Sequence, residues 1–158
     1  MIEQLKLPPH LKSQSTKTYT HDRGLSVCFR QWRAESHCHF LHGYSLQIRL
    51  TFSSRVLDHR NWVVDFGSLK SLKGWLEDLL DHKTLIAEDD PHIDTFQKLA
   101  QDGIIDLRIV PHVGIEALSY YVFEYAEQWL IDNGYAYARL EEVEVWEHAA
   151  NSAKCVRS

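Results

Sequence analysis

The chain has 158 residues and a formal net charge of −5 with its ten histidines counted neutral. That charge argues against broad nucleic-acid or anionic-membrane binding and leaves room only for a local basic pocket. The length fits one domain with a sizeable core, no apolar run approaches the roughly 20 residues of a bilayer span, and the polar start with Pro8 and Pro9 does not read as a signal peptide.

Residues 1–24 carry no clear period and read as an N-terminal tail or an edge extension, with residues 25–158 as the single domain. Leu25, Val27 and Phe29 alternate with Ser26, Cys28 and Arg30, which predicts a strand; if it runs on, His37 shares the apolar parity. From Tyr44 the alternation is cleaner, with Leu46, Ile48, Leu50 and Phe52 on one face, and His42 and Tyr44 fall on that same parity. After the polar turn Asp58-His59-Arg60-Asn61, Trp62-Val63-Val64 reads as the start of another strand. Leu69, Leu72, Leu76, Leu79 and Leu80 keep a helical period, Ser68 stands as a cap, and Asp81-His82 ends the helix. Residues 86–103 read as a mobile insertion with a short helix around Phe96 and Leu99, and Ile105, Leu107 and Ile109 as a brief strand. A second long helix spans Ile115–Asp132, with Gly134 as its stop, and Leu140, Val143 and Val145 form a last strand before Glu147. The order strand, strand, strand, helix, helix, strand, with alternating polarity, predicts an α+β fold on an antiparallel sheet rather than a doubly wound parallel one.

Three places carry chemistry. The octapeptide His37-Cys38-His39-Phe40-Leu41-His42-Gly43-Tyr44 crowds three imidazoles and a thiol, a spacing that lets His37, His39 and His42 converge on one zinc ion. Cys38 is a ligand or a nucleophile; the plain alternative is three loop histidines at the surface. Cys28, Cys38 and Cys155 are few and odd in number, which points to free thiols and a reducing cytosol. Glu147 shares the parity of Val143 and Val145, so it points inward near a strand end and asks for a hydrogen-bonding partner; the guanidine-like edge of a pterin or guanine ring offers two parallel N–H donors. The alternative is a strand-end glutamate turned to water. Asp81-His82 pairs a carboxylate with an imidazole, as a proton relay needs, or else is a helix end with a histidine at the negative pole.

Taken together, Cys38-His39-Phe40-Leu41-His42-Gly43-Tyr44, Trp62-Val63-Val64-Asp65-Phe66-Gly67-Ser68-Leu69-Lys70, Leu80-Asp81-His82-Lys83-Thr84-Leu85 and Val143-Glu144-Val145-Trp146-Glu147 resemble, in order and over about residues 25–150, the 6-pyruvoyl-tetrahydropterin synthase family and within it the bacterial 6-carboxy-tetrahydropterin synthases. The resemblance implies a tunnelling fold: a four-stranded antiparallel sheet with two helices on one face, joined edge to edge into trimers that stack as hexamers, with active sites between subunits. It implies Zn2+ on three histidines, Cys38 as general base or nucleophile, Asp81 and His82 as its relay, and Glu147 as the pterin anchor.

Two departures stand out. The family's His-Gly-His is His42-Gly43-Tyr44 here, which replaces one ligand by a phenol. Its first ligand closes a strand as Ala-Ser-His or Ala-Ala-His; Ala34-Glu35-Ser36-His37 is the nearest match, and the other alignment puts Arg33 there and leaves only His42. His39 is the stand-in third ligand. Val113-Gly114-Ile115-Glu116 also stands where relatives have Pro-Thr-x-Glu, and His148 where they have Thr. The reading that follows is a zinc-dependent lyase acting on 7,8-dihydroneopterin triphosphate in a homo-oligomer, giving 6-carboxy-tetrahydropterin for 7-deazaguanine (queuosine) biosynthesis, or else 6-pyruvoyl-tetrahydropterin. A protein that binds a pterin or purine without this reaction is the alternative of a different class.

Overall fold

The computed structural model describes residues 3–158. In chain order its elements are β1 (Ser13–Tyr19), β2 (Ser26–Phe29), β3 (His42–Ser45), β4 (Gln47–Ser54), α1 (Lys70–Leu80), β5 (Lys83–Ala87), α2 (Ile93–Gln101), β6 (Asp106–Val110), α3 (Ile115–Asp132), β7 (Arg139–His148) and β8 (Asn151–Val156). One sheet is wholly antiparallel, in the order β1-β4-β7-β8. Its alternation buries Ile48, Leu50 and Phe52 of β4 against Leu140, Val143 and Val145 of β7. The same apolar face takes Leu72, Leu76 and Leu80 from α1 and Leu118, Val122, Ala126 and Leu130 from α3, all in one core. Each such leucine or isoleucine contributes roughly 1.5–3 kcal/mol when taken fully out of water. Trp75 of α1 stacks on Tyr125 of α3 at 3.9 Å and locks the two helices side by side. This is an α+β fold whose antiparallel sheet carries two helices on one face.

A second sheet, which the alternation did not announce, runs β3-β2-β5-β6. β2 pairs antiparallel with β3 and parallel with β5, and β5 parallel with β6. β5 is buried along most of its length, so it has no alternation to read. Only Leu46 separates β3 from β4, and there the chain passes from the second sheet to the first. Leu46 is wholly buried and its amide donates to the Leu25 carbonyl at 3.2 Å.

Four local expectations change. Trp62-Val63-Val64 is a loop: Asp58 accepts the amides of Arg60 and Trp62 at 2.8 and 3.0 Å, and Asn61 is left-handed at φ 63°, so the chain turns before it can pair. Ser68 does not cap α1: Asp65 caps the 3-10 turn Phe66–Leu69 that leads into the helix, accepting the Gly67 amide at 2.8 Å, and Ser68 donates to the Asp65 carbonyl. β2 stops at Phe29, so the strand parity never reaches His37. Residues 86–103 are built into β5 and α2 and tied down by the buried Asp90 and Phe96. Within the stretch expected to be a tail or an extra edge, Ser13–Tyr19 is the edge strand β1.

Candidate active site

β2 and β3 set the centre of the site. Phe29 lies directly opposite His42, and Val27 opposite Tyr44, so these four side chains share the inward face of the second sheet. The Phe29 ring lies 6.2 Å from His42 and 5.8 Å from Tyr44, and His42 and Tyr44 meet edge to face at 5.1 Å. His42 Nδ1 lies 2.7 Å from the Phe40 carbonyl, which can only accept, so Nδ1 carries the proton. Nε2 therefore holds the lone pair, and the Tyr44 hydroxyl donates to it at 2.8 Å. Burial first, and then the charges of Glu147 and Cys38 close by, raise the Tyr44 phenol above its ordinary pKa and keep it a donor. Glu147 is half-buried on β7, where the pairing with β8 slips between Trp146 and His148.

Cys38 is half-buried in a single 3-10 turn, His37–His39, whose entry is capped by the Ser36 hydroxyl. The turn is tied back to the end of β2. The Gln31 amide donates to the Cys38 carbonyl at 3.0 Å, and Arg30 Nη1 donates to the His39 carbonyl at 3.2 Å. Arg30 is in turn gripped on two sides by Asp90, at 2.8 and 2.7 Å, with the Asp90 side chain 1% exposed. Gln31 reaches the Val113 carbonyl at 2.8 Å. Arg30, Gln31 and Asp90 were not foreseen as parts of the site; the one sequence signal was an arginine directly following a strand.

The three histidines expected to share a metal do not converge. His37 is exposed, His39 donates Nδ1 to the Ser36 carbonyl at 2.6 Å, and His42 is occupied as described. Among the described residues, no group of three histidine, cysteine or acidic side chains is placed to hold a metal ion. The strand end that faces His42 is Phe29, not His37, because β2 breaks off before the loop. The positions that do meet are a phenyl ring, one imidazole and a phenol. A single imidazole lone pair, already taken by a phenol, does not make the three- or four-donor set that zinc requires, so the residues present do not fit the ion.

Asp81 and His82 form their own pair at the start of β5. Asp81 Oδ1 accepts His82 Nδ1 at 2.9 Å and the Ser26 amide at 3.3 Å, and the His82 amide donates to the Ser26 carbonyl at 2.6 Å. The His82 side chain is 84% exposed. The pair therefore sits at the Ser26 end of β2 and Cys38 beyond the Phe29 end, with about 10 Å of strand between those ends. A shallow groove of about 450 Å³ is lined by Tyr44, Ser45, His82 and Thr84, but neither Cys38 nor Glu147 lines it. A separate cavity of about 400 Å³ is lined by Lys17, Arg23, Lys70 and Lys73 without a carboxylate. Among the described residues no helix is long and apolar enough to cross a membrane.

Sheet order and helix placement define the class: an α+β chain of the tunnelling fold. The solved structures similar to it include an uncharacterised protein of Wolinella succinogenes, with a TM-score of 0.79 and 20% identity over 94% of this chain and 99% of that one. The 6-pyruvoyl tetrahydropterin synthase of Plasmodium falciparum follows at a TM-score of 0.61 and 14% identity, over 92% and 98%. Residues 18–158 match the family model for 6-pyruvoyl tetrahydropterin synthase, and the chain belongs to that family. It is 28% identical over 141 residues to the 6-carboxy-5,6,7,8-tetrahydropterin synthase of Aquifex aeolicus (strain VF5), covering 85% of this chain and 84% of that protein.

Proposed function

We propose that the protein is a lyase of the tetrahydropterin synthase type, turning 7,8-dihydroneopterin triphosphate into 6-carboxy-5,6,7,8-tetrahydropterin in the cytosol, on the way to 7-deazaguanine nucleosides. The observation that carries this reading is that Tyr44, Glu147 and Cys38 are all half-buried and that the charges of Glu147 and Cys38 reach the Tyr44 phenol and raise its pKa. Glu147 would take the paired N–H donors of the 2-amino-4-oxo edge, as charge-assisted hydrogen bonds favour. Cys38, on a turn pinned by Arg30 and Asp90, would take and return protons at the ligand's side chain. Asp81 holds the His82 Nδ1–H, so Nε2 is free to relay those protons, and a second copy of the chain would deliver this pair. The free edges of β1 and β8 would join such copies into a ring. The triphosphate would find its counter-charge among Lys17, Arg23, Lys70 and Lys73. The similarity to the Aquifex aeolicus enzyme supports the choice of product.

Incubation with 7,8-dihydroneopterin triphosphate, followed by chromatography and mass spectrometry, tests the reading. The expected result is a 6-carboxy product, turnover reduced about 100-fold or more in Cys38→Ala with binding retained, and pterin binding lost in Glu147→Gln. A 6-pyruvoyl product would reassign the specificity. Binding without any conversion would instead support a pterin- or purine-binding protein of the same fold. That second reading is favoured by the Phe29–His42–Tyr44 cluster, which takes up the centre of the site with rings.

A further inference from the structure

We infer that this site is built to work without a bound zinc ion, with the hydrogen-bonded Tyr44–His42 couple on Phe29 standing where a metal centre would have to form. The inference goes beyond the proposed lyase, because it holds whether the ligand is converted or only held.

Metal capture by a histidine needs a nitrogen lone pair facing open space, and at least two more such donors facing the same point. His42 has one lone pair, on Nε2, since Nδ1–H is committed to the Phe40 carbonyl at 2.7 Å. In a metal site, that Nδ1–H to carbonyl bond is the usual orienting contact for an Nε2 ligand. Here the same arrangement aims Nε2 at a phenol instead, with the Tyr44 oxygen 2.8 Å away and donating into it. The neighbour across the strand pair, Phe29, has no lone pair to give and packs its ring against both partners. Register places these three side chains together, so no rotation of one residue recruits a second nitrogen from β2 or β3. His39 turns its own Nδ1–H to the Ser36 carbonyl inside its turn, and His37 is exposed. With its proton given to His42, the Tyr44 oxygen keeps its lone pairs as acceptors for a hydroxyl on a ligand's side chain. The couple is thus a neutral polar contact in an otherwise aromatic corner.

The test is zinc content, read independently of any activity. Purified full-length protein is equilibrated with micromolar zinc, passed through a desalting column and analysed by plasma mass spectrometry. The wild-type chain is expected to retain far less than one zinc per chain. The Phe29→His/Tyr44→His double variant, which puts imidazoles on either side of His42, is expected to retain about one zinc per chain. Cobalt substitution of that variant should show tetrahedral d–d absorption. About one zinc per wild-type chain, lost in His42→Ala, would overturn the inference. So would a folded double variant that stays free of zinc, because Phe29, His42 and Tyr44 would then not mark one centre. If the double variant does not fold, the wild-type measurement with His42→Ala as control decides the matter alone.

Discussion

Arg30 and Asp90 show how two residues 60 apart in the chain fix the turn that carries Cys38. Arg30 donates to Asp90 through two nitrogens and to the His39 carbonyl through a third, so the turn holding Cys38 rests on a paired charge 14% and 1% exposed. Removing one partner leaves the other charge buried alone. Asp90→Ala is therefore expected to cost about 3 kcal/mol at neutral pH, read by urea unfolding. The hydrogen bonds from Arg30 hold the Asp90 carboxyl below the usual carboxylate range. The folded chain thus takes up this proton less readily than the unfolded chain. The stabilisation is present above the unfolded value near about 4, and is lost as pH falls through the depressed folded value. Repeating the unfolding from about pH 6 down to about pH 2 should narrow the gap between wild type and variant; a constant gap would show that the charge pair is not its origin. The sequence showed Asp90 only as one acid among several in a presumed mobile insertion. A contact spanning that distance along the chain leaves no local pattern.

Helices α1 and α3 were legible because their leucines and aromatics recur at the helical period, and α3 has the predicted bounds, Ile115–Asp132. β5 and β8 were missed for opposite reasons. β5 is buried almost throughout, and β8 is an edge strand with only Ala153 and Cys155 half-buried. The start of α3 depends on Gly114, within the Val113-Gly114-Ile115-Glu116 stretch that departs from the family's Pro-Thr-x-Glu. Gly114 sits at φ +110°, and a Cβ there would lie 2.7 Å from Gln31 Nε2, the group that ties β2's exit to Val113. Gly114→Ala is expected to cost about 1–3 kcal/mol from the backbone alone. Gly74 lies inside α1 with open space around its Cβ position, and Gly74→Ala should stabilise by about 0.5–1 kcal/mol. Thermal melts are expected to rank Gly74→Ala above wild type and Gly114→Ala below it. The reverse order would mean that neither backbone argument governs these positions.

At the scale of the molecule, the thiol and the Asp81–His82 pair stand at opposite ends of β2: Cys38 beyond the Phe29 end, and Asp81 with His82 at the Ser26 end. On the proposed reading, one chain supplies the thiol and the anchor, and its neighbour supplies the relay. Co-assembly then separates this arrangement from an all-in-one site. Cys38→Ala and His82→Ala are each expected to be inactive. Chains unfolded and refolded together in equal amounts should regain up to roughly a quarter of wild-type turnover, the statistical share of interfaces with both residues intact. No recovery in assemblies of native size would place thiol and relay in the same chain. His82 suits the experiment because its exposed side chain has little structural role.

Membership of the family was written in the chain itself. Four short motifs in register, two helical periods and the inward parity of Glu147 are local patterns, and local patterns survive without a fold. The face on which His42 and Tyr44 lie was legible in the same way. What lies opposite them was not. Parity tells which side of a strand a residue occupies but not which residue of another strand it meets, since register is fixed by pairing along the whole ladder. Folding placed Phe29 against His42, turned His39 towards its own backbone and left His37 in solvent. Three histidines within six positions of the sequence therefore read as a metal site, while the folded protein brings together a phenyl ring, an imidazole and a phenol.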